Sequence, residues 1–367
     1  MKTRQFHNRK GLAFAAQAGV TLIELMVALT ISTVLIFGAT QVYLKSRNTY
    51  QTNESVTRLQ ETARYAMSII EIDVRNANYF GLTKSAYKFT GQAIQALPLG
   101  AVAPGPAANI CGNNFAIDLN TSIQGDNNGY VLSATRQAGC DTPINTPVGT
   151  TTSVTTADTL TIRRASVITQ TVFTNGTLQL CSGRGVDNTI YSNAGACAAA
   201  PNGQINNLIV NAYYVDQNSA QANGLPSLRR KALAPGPAFI DEEVIAGVED
   251  MQIQFGVETV NPTTGAAGQP SSYINPRALL ANEQVVAVRV WLLVRSDTPE
   301  LGFSDDRCYE YAARVCANGV TANLNDAAAT TLGFRPSSSG DETFTSVKRF
   351  RRLLVSRTMY LRDAYGT

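Results

Sequence analysis

Residues 25–44 are twenty consecutive uncharged, mostly apolar positions, and charge resumes only at Lys45. As a helix, such a run extends about 30 Å at roughly 1.5 Å per residue, enough to cross a bilayer. From Tyr50 the pattern changes. Val56, Leu59, Ala63, Met67, Ile70 and Val74 recur at helical spacing, while Glu54, Arg58, Glu61, Arg64, Glu71 and Arg75 occupy the other faces. That periodicity predicts an amphipathic continuation with one side against a packed domain. Tyr79-Phe80-Gly81 reads as its stop, with glycine in the C-terminal turn. The prediction is one helix over residues 20–78, about 59 residues and roughly 90 Å long.

Beyond Gly81 the texture turns to strands and loops. Alternation predicts strands at residues 159–164 and 177–180, and residues 208–215 and 225–233 form a candidate hairpin. Residues 244–258 place Met251, Ile253, Phe255 and Val257 on one face. Residues 284–295 place Val286, Val288, Val290, Leu292 and Val294 on one face, and Val285, Ala287, Arg289, Trp291 and Leu293 on the other. A β-branched run of this kind predicts a central strand covered on both sides, with Trp291 in the core. Residues 350–362 form the expected final strand. Residues 93–109, 261–276 and 298–340 read as loops, and Asn128-Gly129 as a tight turn. The expected fold class is α+β: a long N-terminal helix on an antiparallel, disulfide-pinned sheet domain.

Charge and composition narrow the function. The chain has 30 Lys+Arg against 27 Asp+Glu. Four of those cations, Lys2, Arg4, Arg9 and Lys10, precede Gly19, so a chain cut there holds 26 against 27. The basic leader favours a cytoplasmic N-terminus with the C-terminal bulk outside. The small residues of positions 13–19 come before the apolar run, so a cut at Gly19 keeps the helix, unlike removal of a secretory signal. The only histidine is His7. Cleavage therefore removes imidazole chemistry, histidine-ligated zinc and His-dependent nucleophiles together. No phosphate-binding loop is present, and neither an enzyme nor a cofactor is expected. Cys111, Cys140, Cys181, Cys197, Cys308 and Cys316 all follow the apolar span and form no C-x-x-C pair. They permit fifteen pairings; local closure favours Cys111–Cys140, Cys181–Cys197 and Cys308–Cys316.

Glu24 stands alone at the head of the apolar run, where an uncompensated carboxylate is costly. The surrounding residues Gly19-Val20-Thr21-Leu22-Ile23-Glu24-Leu25-Met26-Val27-Ala28-Leu29 resemble the leader junction of type IV pilins and type II secretion pseudopilins. The resemblance implies a prepilin peptidase that cuts after Gly19 and methylates the new N-terminus at Val20. It also implies that Glu24 pairs with the freed amine of a neighbouring subunit. Val20 stands where the family most often has phenylalanine, and the span lacks the proline that bends many major pilins. Leu228-Arg229-Arg230, residues 244–256, residues 285–295 and Thr358-Met359-Tyr360-Leu361-Arg362 resemble the PilW group of minor pilins, as do residues 58–67 and Asp73-Val74-Arg75.

The organisation expected from that resemblance is a leader at 1–19, a membrane and assembly helix at 20–48, an amphipathic half at 49–81 and a β-rich head at 82–367. The expected partners are other minor pilins, a major pilin, the prepilin peptidase, the inner membrane and a large tip adhesin. The expected location is the inner membrane with a periplasmic head, then the pilus tip. Two alternatives share the leader: a J-like secretion pseudopilin and a DNA-uptake pilin. Lys348, Arg349, Arg351, Arg352, Arg357 and Arg362 give the last segment a basic face suited to phosphates or an acidic subunit. Subunit contact is the reading preferred, and no nucleic acid is expected. Asp241, Glu242, Glu243, Glu249 and Asp250 are expected as solvated acids, not catalytic carboxylates. Asp126 to Gly129 lacks the spacing of a calcium loop.

Overall fold

The computed structural model describes residues 19–83, 89–90, 116–127, 157–184, 188–191, 197, 203–221, 224–235, 238–259, 269–276, 279, 283–300, 302–312, 316 and 348–362. Most of the leader with His7, Cys111, Cys140, residues 93–109 and the Asn128-Gly129 turn lie outside them. The chain divides into two compact units, Met1–Glu54 and Ser55–Thr367. Helix α1, Leu22–Arg75, begins in the first and ends in the second.

In the first unit the apolar side chains of α1 are exposed on every face, Leu22 at 78% and Phe37 at 67% among them. No described residue of this unit buries them, so an apolar solvent or another chain must. The three threonine hydroxyls in the run are satisfied by their own helix. Thr30 donates to the Val27 carbonyl at 2.8 Å, Thr33 to Leu29 at 2.8 Å and Thr40 to Ile36 at 2.8 Å. These polar groups therefore need no water.

In the second unit, Leu59, Ala63, Ala66, Met67, Ile70, Asp73 and Val74 form the buried stripe of α1. Val56, expected in that stripe, is 37% exposed. The helix ends at Arg75, three residues before the expected stop. Asn78 takes the left-handed conformation at φ 64°, so asparagine does at the helix end what glycine was expected to do. Gly81 serves a different purpose: a Cβ there would lie 2.2 Å from Ser182 Oγ.

Among the described residues twelve strands follow, in two sheets. β1 (Phe89–Thr90), β2 (Ile123–Asp126), β3 (Thr159–Gln170), β4 (Gln179–Ser182), β5 (Asn188–Tyr191), β6 (Gln204–Asp216), β7 (Ser227–Ala234) and β8 (Ala238–Ala246) form the first. β9 (Val248–Thr259), β10 (Ser272–Ile274), β11 (Glu283–Arg295) and β12 (Arg352–Tyr360) form the second, in the order β10-β9-β11-β12. All pairs are antiparallel except β1–β5. The expected hairpin is β6–β7, closing at Asp216 opposite Ser227. β11 is central, between β9 and β12. β10 lies in a stretch read as loop, because three residues are too few to show alternation.

β6 is covered on both faces. Tyr213 and Val215 join a core with α1 and the second sheet, while Leu208, Val210 and Ala212 join a second core with Phe80, Phe89 and residues 116–119. Residues 244–258, read as one strand, are two. Gly247 breaks the run at φ 94° and sends the chain from the first sheet to the second. Its N–H donates to the Pro226 carbonyl at 2.6 Å beside β7, and its carbonyl accepts from the Arg295 N–H at 2.7 Å on β11. One residue thus stitches both sheets in a conformation that L side chains resist.

Gly247→Ala is therefore expected to destabilise the chain by about 1–3 kcal/mol. A Cβ would sit 3.1 Å from the Arg295 carbonyl, adding crowding to the strained φ. Denaturant unfolding of the full chain in detergent measures this; an unchanged midpoint contradicts it.

Candidate functional site

The N-terminal candidates sit together at the start of α1. Gly19 and Val20 are exposed and precede the helix. Thr21 is the N-cap and Glu24 the third helical residue. The Thr21 N–H and Oγ1–H donate to Glu24 Oε2 at 3.0 and 2.8 Å, and the Glu24 N–H donates to Thr21 Oγ1 at 3.3 Å. This is a capping box, and its Thr-x-x-Glu signature was readable in the sequence. It fixes the carboxylate over the helix N-terminus, where the helix dipole favours negative charge. The Thr21 bonds converge on Oε2, which leaves Oε1 for an approaching cation.

The second unit holds charges that the sequence reading placed in solvent or did not single out. Asp73 occupies an apolar-stripe position on α1. On the facing side of the first sheet, Leu160, Ile162 and Arg164 alternate along β3, and Asn211, Tyr213 and Val215 along β6. Arg164 Nη2 and Nε therefore reach Asp73 Oδ1 at 2.7 and 3.0 Å, while Asn211 Nδ2 and Tyr213 OH donate to Oδ2 at 2.6 and 2.5 Å. Burial, then the Asp73 charge, hold the Tyr213 phenol well above its ordinary value. On the other face of β3, burial pushes the Arg163 guanidinium down to about 10, opposed by Asp118. Arg163 donates to the Thr121 carbonyl at 2.6 Å and Gln124 Oε1 at 3.0 Å.

Glu249 and Asp250, expected in solvent, are fully buried. Arg352 Nε and Nη2 grip Glu249 at 2.6 and 3.1 Å, with Asp305 3.7 Å from Arg352 Nη1. Burial works against the Arg352 charge, but Glu249, Asp305 and Tyr309 together outweigh it and the guanidinium pKa is raised. Tyr311 OH donates to Asp250, and Tyr309 OH to Asp305 at 2.7 Å. Burial and the Asp305 hydrogen bond push the Tyr309 phenol up. Asp241 and Glu243 share Arg229, and Glu242 meets Arg230 at 2.7 Å. Of the five acids only Glu242 is exposed, and all five meet a cation or hydroxyl distant in sequence.

The basic face is likewise spent internally. Arg351 pairs with Glu300 at 2.7 Å, Lys348 with Asp306 at 2.5 Å and Arg357 with Glu71 of α1. Arg362 and Arg349 are exposed. The Arg362 N–H donates to the Arg75 carbonyl at the end of α1, at 3.3 Å. Trp291, expected in the core, is half-buried, and the Arg289 guanidinium lies 5.7 Å from its ring and 3.9 Å from that of Tyr273. Cys181 is bonded to Cys197, with Cα atoms 5.6 Å apart, and Cys308 to Cys316, at 6.2 Å. Asp126 ends β2, and its N–H meets Thr159 Oγ1 at 3.2 Å. Among the described residues no cluster of three metal-ligating side chains occurs.

Comparison with known proteins gives two matches. Residues 212–363 match the family described as Type IV Pilus-assembly protein W. Residues 14–40, which bracket Gly19 and Glu24, match the prokaryotic N-terminal methylation motif. Among curated proteins and among solved structures, nothing matches the chain.

Removing Asp73 strands a buried guanidinium. Asp73→Ala is expected to cost about 3–5 kcal/mol, and Asp73→Ala with Arg164→Met to recover much of it. Equal unfolding midpoints for the single and double variants contradict that coupling. Tyr213 and Tyr309 give a pH dependence. Their folded values are raised above about 10, so their stability is complete below pH about 10 and is lost as pH climbs toward the folded values. Melting temperature should fall above that pH, with part of the tyrosinate absorbance appearing only on unfolding; full ionisation before unfolding contradicts it.

Proposed function

We infer that this chain, which belongs to the type IV pilus-assembly protein W family and carries the N-terminal methylation motif, is a minor pilin that helps to prime pilus assembly within a tip complex. The family is structural and not enzymatic. The observation that carries the inference is Glu24, held by Thr21 at the head of an apolar helix with one carboxylate oxygen turned to no partner of its own turn. Processing by the prepilin peptidase after Gly19 removes residues 1–19 and creates an ammonium group at Val20. Glu24 of one subunit then accepts the ammonium of a neighbour, which offsets the cost of a lone carboxylate in an apolar setting.

On this reading residues 20–48 anchor the chain in the inner membrane and later enter the filament. Residues 49–81 join that helix to the head, residues 82–367. The head is periplasmic before assembly and lies at the pilus tip afterwards. Its neighbours are other minor pilins, the major pilin and a large tip adhesin. The internal pairing of Arg351, Arg352 and Arg357 weighs against a phosphate-binding face.

Glu24→Gln is expected to leave cleavage intact while reducing surface pili at least about tenfold, the loss of roughly one charge-assisted hydrogen bond. Shearing and blotting measure piliation, and gel mobility measures cleavage; normal piliation in the variant defeats the inference. A bulky residue at Gly19 should instead leave the uncut precursor.

A further inference from the structure

Within the second unit a groove of about 690 Å3 runs between the Ser55–Tyr65 stretch of α1 and the end of β8. Five consecutive residues, from Glu243 to Gly247, line its second wall. Alternate side chains of a strand point to opposite faces, so a wall made of consecutive residues is the strand's edge. Among the described residues β8 pairs only with β7, which leaves that edge without a ladder partner. A bulge where Leu228 and Arg229 face Ile245 and Glu243 interrupts β8 at Val244, so the edge suits a short extended segment and not a long strand.

Arg295 also lines the groove, and its side chain is only 3% exposed. Its Nη2 donates to the Gly224 carbonyl at 2.8 Å, and its guanidinium lies 4.3 Å from the Phe350 ring. Its Nε is buried and meets no acceptor among the described residues. Glu249 is 4.0 Å from Nη1, but both of its oxygens are already held by Arg352. A buried guanidinium so weakly answered calls for a carboxylate. Burial lowers the Arg295 pKa, with Glu249 opposing and Arg352 adding to the fall, in keeping with a missing anion. At the mouth, Arg58 pairs with Asp297 at 3.1 Å, and both side chains are about half exposed. Such a pair yields readily to a competing acid. Glu243 is committed to Arg229, Ser219 and the Ala220 N–H. Glu61 on the lining disfavours a run of acids and favours a single one.

We propose that this groove docks a short extended peptide segment of another protein that carries a single carboxylate. The segment's backbone lies along the free edge of β8, and its acid sits between Arg295 and Arg58. The proposal rests on the second unit alone and stands whether or not the chain primes a tip complex.

Fluorescence anisotropy of the full chain in detergent micelles tests it, with a labelled peptide bearing one Asp among Val and Thr, and its Asn analogue. The Asp peptide should bind saturably, and the Asn analogue at least about tenfold more weakly. Thr62→Trp, which fills the groove from the helix, should abolish binding, and Arg58→Gln should weaken it. Arg295→Gln should weaken it further, with thermal melting as the check on folding; the peptide and Thr62 arms do not depend on that variant. Absence of saturable binding, equal binding of the two peptides, or binding unaffected by Thr62→Trp overturns the proposal.

Discussion

A carboxylate at the head of an uncharged helix has few ways to be satisfied. Glu24 uses one oxygen on its own N-cap, where Thr21 supplies an N–H and a hydroxyl. Those bonds orient the group without neutralising it, and the next twenty residues contain no cation. The hydroxyl hydrogens of Thr30, Thr33 and Thr40 are spent on their own backbone. A counter-charge must therefore come from outside this segment. On the proposed reading, cleavage after Gly19 would supply it by turning a peptide nitrogen into an ammonium group. The run that follows is apolar on every face, so its side chains are matched to an apolar surrounding and not to water.

Past Glu54 the helix meets a different demand. It must bury one stripe against two sheets, and it does so with charges as well as with methyl groups. Asp73 ties α1 to β3 and β6, and Glu71 ties it to β12 through Arg357. The Asp73–Arg164 pair is buried, and such a pair adds little net stability although breaking it is costly; the Arg357 end of the Glu71 pair is exposed. Glu249 with Arg352 plays the same part between β9 and β12, and Tyr309 and Tyr311 seal the cluster from the side. Gly247 completes the frame by letting one chain serve both sheets.

Much of this was legible in the residues, and the failures have physical causes. The stripe of α1 followed from period 3.6, the β6–β7 hairpin and the central place of β11 from period 2 and a turn between. Asp73 was hidden because a single acid barely disturbs an apolar stripe. Glu249 and Asp250 were read as solvated because charge looks polar until a partner is known, and Arg352 lies 103 residues away. Gly247 was read as part of one strand because Val244-Ile245-Ala246 precede it and Val248 follows it. The capping box at Thr21 needed no structure at all; the Thr-x-x-Glu spacing was eclipsed by the glycine and the acid that frame it.

The account stands on the ammonium group that processing creates. Intact-mass and N-terminal sequencing of the protein taken from filaments of its native host test it most directly. The account predicts a chain that starts at Val20, with Glu24 as its fifth residue. A filament-incorporated chain that still carries residues 1–19 would leave Glu24 without its cation and would contradict it.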